Sequence, residues 1–472
     1  MKLTFILKYY LIFNSSFFQS NFIKNMKKYF LLIFVLIIFT NSYSQIYNYP
    51  LPGNGEFRGG MGLNWIDGEL HYAVHLTPEF SFDKIGIGLD LQLNFNQQGK
   101  LRTEDFNEFS DYLRVIRYLR YGEKGDPAYI KLGALDYYTL GHGSIMYNYI
   151  NSPTYDARKA GLVFDVSFGK LGFESIYSSF GEAGIIGFRG YFHPFQFTDK
   201  ENLPIIGQLE IGASFVSDFN DKVGIVAGNF SFPNHIFVPT IDEGAIKIVG
   251  IDIGLPIISS NNFDLTIYAD YSKIINFGQG IATGFSFKLK NIGLLNLFGR
   301  FERRFNGDHY IPSYFNSLYE IERFSTDSSN NTFKSKASLL TARNASDNGV
   351  FGELGAKVAD LFYIQGSYQR LDKTPKSGIL HFVTEINPKN SSFVIRAGYD
   401  KINIGNETAI FKLDDNSYFY FEYGYKVAKY ILVSMLYNWT YTPLRNANND
   451  IIGFKPQRRV EPRISFVFPV SY

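Results

Sequence analysis

Residues 85–96 read Ile-Gly-Ile-Gly-Leu-Asp-Leu-Gln-Leu-Asn-Phe-Asn, with Ile85, Ile87, Leu89, Leu91, Leu93 and Phe95 at one parity and Gly86, Gly88, Asp90, Gln92, Asn94 and Asn96 at the other. A period of two belongs to a β-strand with one greasy and one wet face, because successive side chains leave opposite sides of the pleat. At about 3.3 Å per residue the stretch reaches roughly 40 Å, whereas ordinary globular strands stop near 5 or 6 residues. Such length and alternation suit a strand with lipid on one side and water on the other. A soluble β-sandwich shows the same alternation, so recurrence and context must decide.

The pattern recurs. Leu162, Phe164, Val166 and Phe168 alternate with Val163, Asp165 and Ser167, and Leu209, Ile211, Ala213 and Phe215 with Glu210, Gly212 and Ser214. The same holds around Asp252, around Asp264 to Asp270, at Ser286 and Lys288, and late in the chain at Glu422 and Ser434. Asp67-Gly68 between two strand-like runs is a tight-hairpin signal. A strand is expected over 112–121, a turn over 122–127, and another strand over 128–136. Three stretches break the pattern. Thr103-Glu104-Asp105, with Phe106 and Phe109 three apart, predicts a short helix. Residues 137–156 form a loop too apolar for plain solvent, expected to fold into a lumen. Residues 305–348 are the longest interruption: Tyr314, Phe315, Leu318 and Ile321 predict a short amphipathic helix, and the Ser- and Asn-rich half that follows predicts a mobile external loop.

Phe 47, Tyr 34 and Gly 43 suit amphipathic strands better than hydrophobic helices, and a net charge of +2 makes no case for nucleic acid. Lys27 and Lys28, the apolar run 29–40 and Ser42-Tyr43-Ser44 read as a secretory signal over 26–44, cleaved after Ser44. Residues 1–25 are expected to be an N-terminal extension or the product of a misplaced start, with a second start at Met26, and 45–472 are expected to be the mature barrel. Cysteine is absent, which excludes disulfides, thiol catalysis, Cys-based metal sites and a lipoprotein anchor. These features predict an all-β fold, a transmembrane antiparallel β-barrel of about 18–20 strands with inward-folding loops, an even number being usual.

The chain ends with Ile464, Phe466, Phe468, Val470 and Tyr472 on one face. In this it resembles the outer-membrane β-barrel, porin-like proteins of Gram-negative bacteria, and its Asn-, Lys-, Phe- and Tyr-rich makeup is similar to that of barrels of the Bacteroidota. The resemblance implies location in the outer membrane, contact with its lipid, and delivery by the barrel assembly machinery, which reads a last strand ending in an aromatic, here Tyr472. Pro469 departs from that pattern, since it removes one ladder donor from a closing strand.

Asp90, Gln92, Asn94, Arg114 and Arg120 are the candidate pore-lining residues. Arg114 and Arg120 share a parity with Tyr112, Ile116 and Tyr118, whereas Arg117 takes the opposite one. An Arg facing lipid at mid-bilayer costs about 2–4 kcal/mol, so either a bulge re-aims Arg117 or it lies beyond the hydrocarbon. The Arg series reads either as an anion-attracting ladder or as ordinary lumen charge paired across strands. Gly141, His142 and Gly143 predict a glycine-bent constriction loop. His142 with Ser144 also invites a lipid-hydrolase reading, but no third orienting residue is placed. His71 and His75 lie about 13 Å apart on a strand, too far to chelate one metal. Trp65 and Trp439 fit an interfacial girdle.

The leading expectation is a non-enzymatic channel passing small solutes, selected by lumen width and charge, with no cofactor, metal or nucleic acid. A secretion or adhesion barrel whose loops bind a partner is the second reading, and a membrane enzyme the third.

Overall fold

The structure is a computed structural model that describes residues 56–469, except positions 83, 107–111, 113, 114, 155–157, 200–202, 232–235, 328–331, 360, 387–390 and 446–450. The signal segment, the extension before it, Arg114 and Tyr472 lie outside the described residues.

The first strands are β1 (Glu56–Ile66), β2 (Glu69–Leu76), β3 (Glu79–Phe82), β4 (Ile85–Leu89), β5 (Leu91–Phe95), β6 (Ile116–Tyr121), β7 (Ala128–Gly133), β8 (Gly161–Ser167), β9 (Leu171–Tyr177), β10 (Ile185–Phe192) and β11 (Glu210–Asp218). Next come β12 (Ile225–Ser231), β13 (Ile236–Asp242), β14 (Ile246–Ser259), β15 (Phe263–Ile274), β16 (Gln279–Ile292) and β17 (Leu295–Asn306). A helical turn α1 (Tyr319–Glu322), β18 (Phe324–Asp327), β19 (Thr332–Ser335) and α2 (Ala337–Thr341) follow. The last are β20 (Asp347–Val358), β21 (Phe362–Leu371), β22 (Gly378–Ile386), β23 (Phe393–Ile404), β24 (Ser417–Ala428), β25 (Ile431–Arg445) and β26 (Ile451–Pro469).

Twenty-two of these strands form one antiparallel sheet, and β26 pairs back onto β1 from Glu56↔Pro469 to Ile66↔Arg459. The sheet is therefore a closed barrel, which leaves no edge with unpaired backbone groups. Two pairs of strands are single staves with a local break. β2 and β3 meet β1 in one register (Gly59↔Leu76, Glu56↔Glu79), and β5 and β4 meet them in one register (Tyr72↔Phe95, Glu79↔Gly88). The breaks fall at Pro78, whose missing N–H cannot join the ladder, and at Asp90. The described barrel thus has 20 staves, at the upper end of the expected number.

The faces invert those of a soluble protein. Met61, Ile251, Leu354, Ile464 and Phe466 stand exposed, while Asn94, Glu302, Glu353, Arg459 and Glu461 are buried on the inner wall. An apolar outer band on a closed barrel places the protein in the outer membrane, since such a surface is stable only in lipid. Asp67 and Gly68 take φ values of 51° and 91°, the left-handed pair that a two-residue hairpin turn requires.

Three local expectations change. The sixth strand begins at Ile116, not at 112, and the pairing Gly88↔Tyr118 then Leu89↔Ile116 leaves Arg117 in a bulge. Ile116 is consequently exposed while Tyr118 is buried, so Arg120 does not share a face with Ile116. Arg117 is turned onto Glu79, 3.3 Å away. The helix predicted around Tyr314 shrinks to α1, because Phe315 forms a parallel bridge with Met146 and Ser313 adopts φ 48°. Tertiary pairing there overrides helical spacing. In the polar half of the same interruption the described residues form β18 and β19, which join β12 and β13 in a four-stranded sheet, and α2 follows. Near Thr103 the 3₁₀ turn Thr103–Asp105 is described, while positions 107–111, where the predicted helix continues, lie outside the described residues.

Candidate functional site

The connection from β7 to β8 and the connection from β17 to β20 emerge at the same end of the barrel, and their described residues fold into it. The reason is legible in their side chains. Leu140, Ile145, Met146, Tyr149, Tyr314, Phe315 and Tyr319 are all buried, in one apolar cluster with Val163, Ile176, Val216 and Ile248 of the inner wall. Fully burying such a side chain contributes about 1.5–3 kcal/mol, more than an exposed loop of this composition would recover. Tyr138 and Tyr149 bridge each other, and Thr154 bridges Tyr441 on the far wall. The first connection therefore crosses the whole lumen and acts as a plug, with the second packed on it.

Polar contacts hold the plug in register. Arg323 donates to Asp218 at 2.6 Å and to the Ala183 carbonyl at 2.9 Å, and the Tyr319 hydroxyl donates to Asp218 at 2.8 Å. Glu320 accepts from Lys159 at 2.8 Å and from the Tyr149 hydroxyl. Burial pushes the Glu320 carboxyl up, but Lys159 and Arg323 outweigh it and hold the group below its usual range. Burial, followed by the neighbouring Glu320, pushes the Tyr149 phenol well above its ordinary value.

The sequence-predicted residues distribute as follows. Asp90 pairs with Arg158 of the plug at 2.6 Å. Gln92 donates to Glu461 at 3.0 Å, and Asn94 donates to Asp105 at 2.9 Å and accepts from Asn64. Arg120 lies near the opposite, short-turn end, donating to the Gly122 carbonyl and 3.6 Å from Glu123. These four therefore run along two neighbouring staves, β4–β5 and β6, from the long-connection end to the short-turn end. Gly141, His142 and Gly143, by contrast, form one tight bend. Gly141 has φ 55°, and a Cβ there would meet Arg189 Cδ at 2.8 Å, while Gly143 has φ 95°. The Gly141 N–H donates to Glu174 at 3.0 Å, and the Gly143 carbonyl accepts from Ser313 at 2.9 Å. The His142 ring stacks on Tyr268 at 4.2 Å, with Nε2 3.7 Å from Asp252. Burial lowers its pKa, with Asp252 opposing and Arg189 reinforcing the shift. Ser144 is buried, and its hydroxyl makes no hydrogen bond among the described residues. His71 Nδ1 meets the Glu69 carbonyl at 3.2 Å, and His75 Nε2 meets the Ser465 hydroxyl at 2.8 Å. Among the described residues no group of three His, Asp or Glu is arranged to hold a metal.

Under the plug, toward the short-turn end, lies a cavity of about 460 Å³. Gly141, His142 and Tyr147 form its roof, Tyr137 and Phe298 are among its aromatic walls, and Lys124, Glu174, Lys288, Arg300 and Glu353 are among its charged groups. Arg300 donates to Glu353 at 2.9 Å and to the His142 carbonyl, tying roof to wall. Arg189 binds Glu174, Glu210 and Asp252 at 2.6–3.0 Å just outside. On the adjoining wall His381 pairs with Asp400 at 2.9 Å, and Tyr137 donates to the same carboxylate at 3.1 Å. Arg189, Arg300, Glu353 and His381 escaped sequence reasoning because polar parity is common to every stave. Lys288 carried a signal, standing at the wet parity beside Ser286.

No protein-family model and no curated relative matches the chain. Among solved structures the chain is similar to Wzi, an outer membrane protein involved in group 1 capsule assembly in Escherichia coli and described as a carbohydrate-binding β-barrel. The identity there is 11%, over 89% of this chain and 86% of that one, with a TM-score of 0.32. It is also similar to OccK10 of Pseudomonas aeruginosa (8% identity, 88% and 99% covered, TM-score 0.31). A third likeness is to a loop-deletion mutant of OmpT, an outer membrane protein of Vibrio cholerae (9% identity, 88% and 97% covered, TM-score 0.27). All three are outer-membrane proteins, and none passes its role to this chain.

Proposed function

We propose that the protein is an outer-membrane channel for small polar solutes whose passage is closed by its own inward-folded connections. The observation that carries this reading is a wide barrel with a charged, hydrogen-bonded inner wall, crossed by a plug held through side chains such as Arg158, Lys159 and Arg323. Contacts of this kind are reversible, and a lumen built only for rigidity has no need of so many charges, since apolar packing would serve at least as well. In outer-membrane barrels the short turns face the periplasm and the long connections the outside. The plug would then close the external mouth and the cavity would face inward.

Planar-bilayer recording tests this. The wild type should show rare conductance steps, and a variant with residues 139–150 replaced by a short Gly-Ser linker should show frequent ones. Silence from both, with the variant still heat-modifiable on gels, overturns the channel reading. A second reading, a barrel that binds a partner through its long connections, is favoured by the four-stranded sheet β13-β12-β19-β18 at that end. It would take precedence on that outcome.

A further inference from the structure

We propose that the cavity under the plug is a binding site for a small organic anion, with Lys288 as its charge partner and the Asn148 side-chain amide as a second donor. The inference deepens the channel reading and rests on it for its physiological sense, but binding itself can be measured without transport. The argument is an accounting of hydrogen-bonding capacity. Charged groups around a cavity either neutralise one another or wait for a ligand, and buried donors left without acceptors are rare.

The carboxylates here are already engaged, Asp126 accepting from the Glu123 N–H at 3.0 Å. Glu353 accepts from Arg300 and from the Tyr147 hydroxyl. Glu174 accepts from Lys124, Arg189 and the Gly141 N–H. Asp165 accepts from Lys124, from the Tyr138 hydroxyl and from the Ser175 N–H. Two donors are not. Asn148 is 6% exposed and lines the cavity, yet its Nδ2 has no hydrogen-bond partner among the described residues. Lys288 also lines the cavity, and no ion pair or hydrogen bond engages its ammonium among the described residues; its neighbour Lys290 is the one that takes Asp264, at 2.7 Å.

Register explains the placement. Lys288 lies opposite Phe298, and Ser286 opposite Arg300, on the paired strands β16 and β17. Lys288 and Arg300 are therefore diagonal neighbours on the inner face, within reach of one small ligand. The lining carries the cations Lys124, Lys288 and Arg300 and the carboxylates Asp126, Asp165, Glu174 and Glu353, and the groups left without a partner among the described residues, the Asn148 amide and the Lys288 ammonium, are both donors, so a carboxylate-bearing solute completes them. Phe298 and Tyr137 offer aromatic faces for an apolar body, and a volume of about 460 Å³ lies in the range of small-molecule sites.

The test is calorimetric titration of the purified, detergent-solubilised protein with benzoate, benzamide and benzylammonium, three ligands of one shape and different charge. Saturable binding is expected for benzoate, with affinity at least tenfold above either of the others. Lys288→Gln should weaken benzoate at least tenfold, and Asn148→Leu several-fold, while both variants keep the heat-modifiable gel shift of a folded barrel. Equal affinity for the three ligands, a preference for benzylammonium, or unchanged benzoate binding by a folded K288Q overturns the site. Benzoate binding without conductance in any variant would leave the site standing and overturn the channel. Conductance in the plug-replaced variant without benzoate binding to the wild type would do the reverse.

Discussion

Replacing Asp218 by Asn should release the plug. Asp218 and Arg323 are an ion pair at 2.6 Å whose side chains are 0% and 1% exposed. Removing one partner of a buried pair costs about 3–5 kcal/mol, because the surviving charge is left without compensation. Arg323 would keep the Ala183 carbonyl at 2.9 Å and Glu320 at 3.5 Å, so the lower end, about 3 kcal/mol, applies. At 1.36 kcal/mol per factor of ten, this raises the plug-released population roughly 150-fold. Amide hydrogen exchange over residues 310–324 should accelerate by about that factor, while the strands of β14 to β16 stay protected. In bilayers the same variant should open more often than the wild type. The double variant Asp218→Leu with Arg323→Met removes both charges together and should return exchange to within about tenfold of the wild type, since apolar isosteres commonly replace a buried pair at little cost. Unchanged exchange in Asp218→Asn would refute the view that this pair holds the plug. A double variant as labile as the single one would show that the loss is of packing rather than of charge.

Other outcomes follow from the same structure. Gly141→Ala combines a left-handed φ with a Cβ 2.8 Å from Arg189 Cδ, so it should destabilise the plug by about 1–3 kcal/mol, read as faster exchange over 138–150. Burial lowers the His142 pKa, with Arg189 and Arg300 reinforcing the shift and Asp252 and Glu210 opposing it. A depressed pKa in the plugged form means that protons favour the released form as pH falls below the ordinary value near 6.5. Opening should therefore rise on acidification from pH 7 to 5, and His142→Gln should flatten that dependence; an identical pH profile in the variant would remove His142 from the account. Ile251→Arg places a cation on the outer band, where Ile251 is 60% exposed, and should cost about 2–4 kcal/mol in urea titrations of bilayer refolding. The same titration on Asp252→Asn, one position along on the inner face, should show no lipid-thickness dependence of its effect.

The alternation of Ile85 to Phe95 against Asp90, Gln92 and Asn94 was enough to determine a stave with an outer and an inner face, because side-chain direction in a strand is a local property with period two. Asp67-Gly68 likewise determined a hairpin, since the turn needs only the conformational freedom of its two residues. The apolar character of 137–156 pointed inward for an equally local reason: such side chains do not stay in water. What only the tertiary structure decided are the relations between distant segments. Pro78 and Asp90 interrupt staves without ending them, because neighbouring strands keep one register across each break. The bulge at Arg117 reverses the parity read from 112–121, and it arises from pairing with β4, which no periodicity within the strand reports. Phe315 left the helix its spacing predicted because Met146, far away in the chain, offers it a bridge. The cavity and its unspent donors exist only where 20 staves and two connections converge. Asn148 and Lys288 lie 140 positions apart in sequence, and their shared surroundings are set by barrel closure rather than by either local pattern.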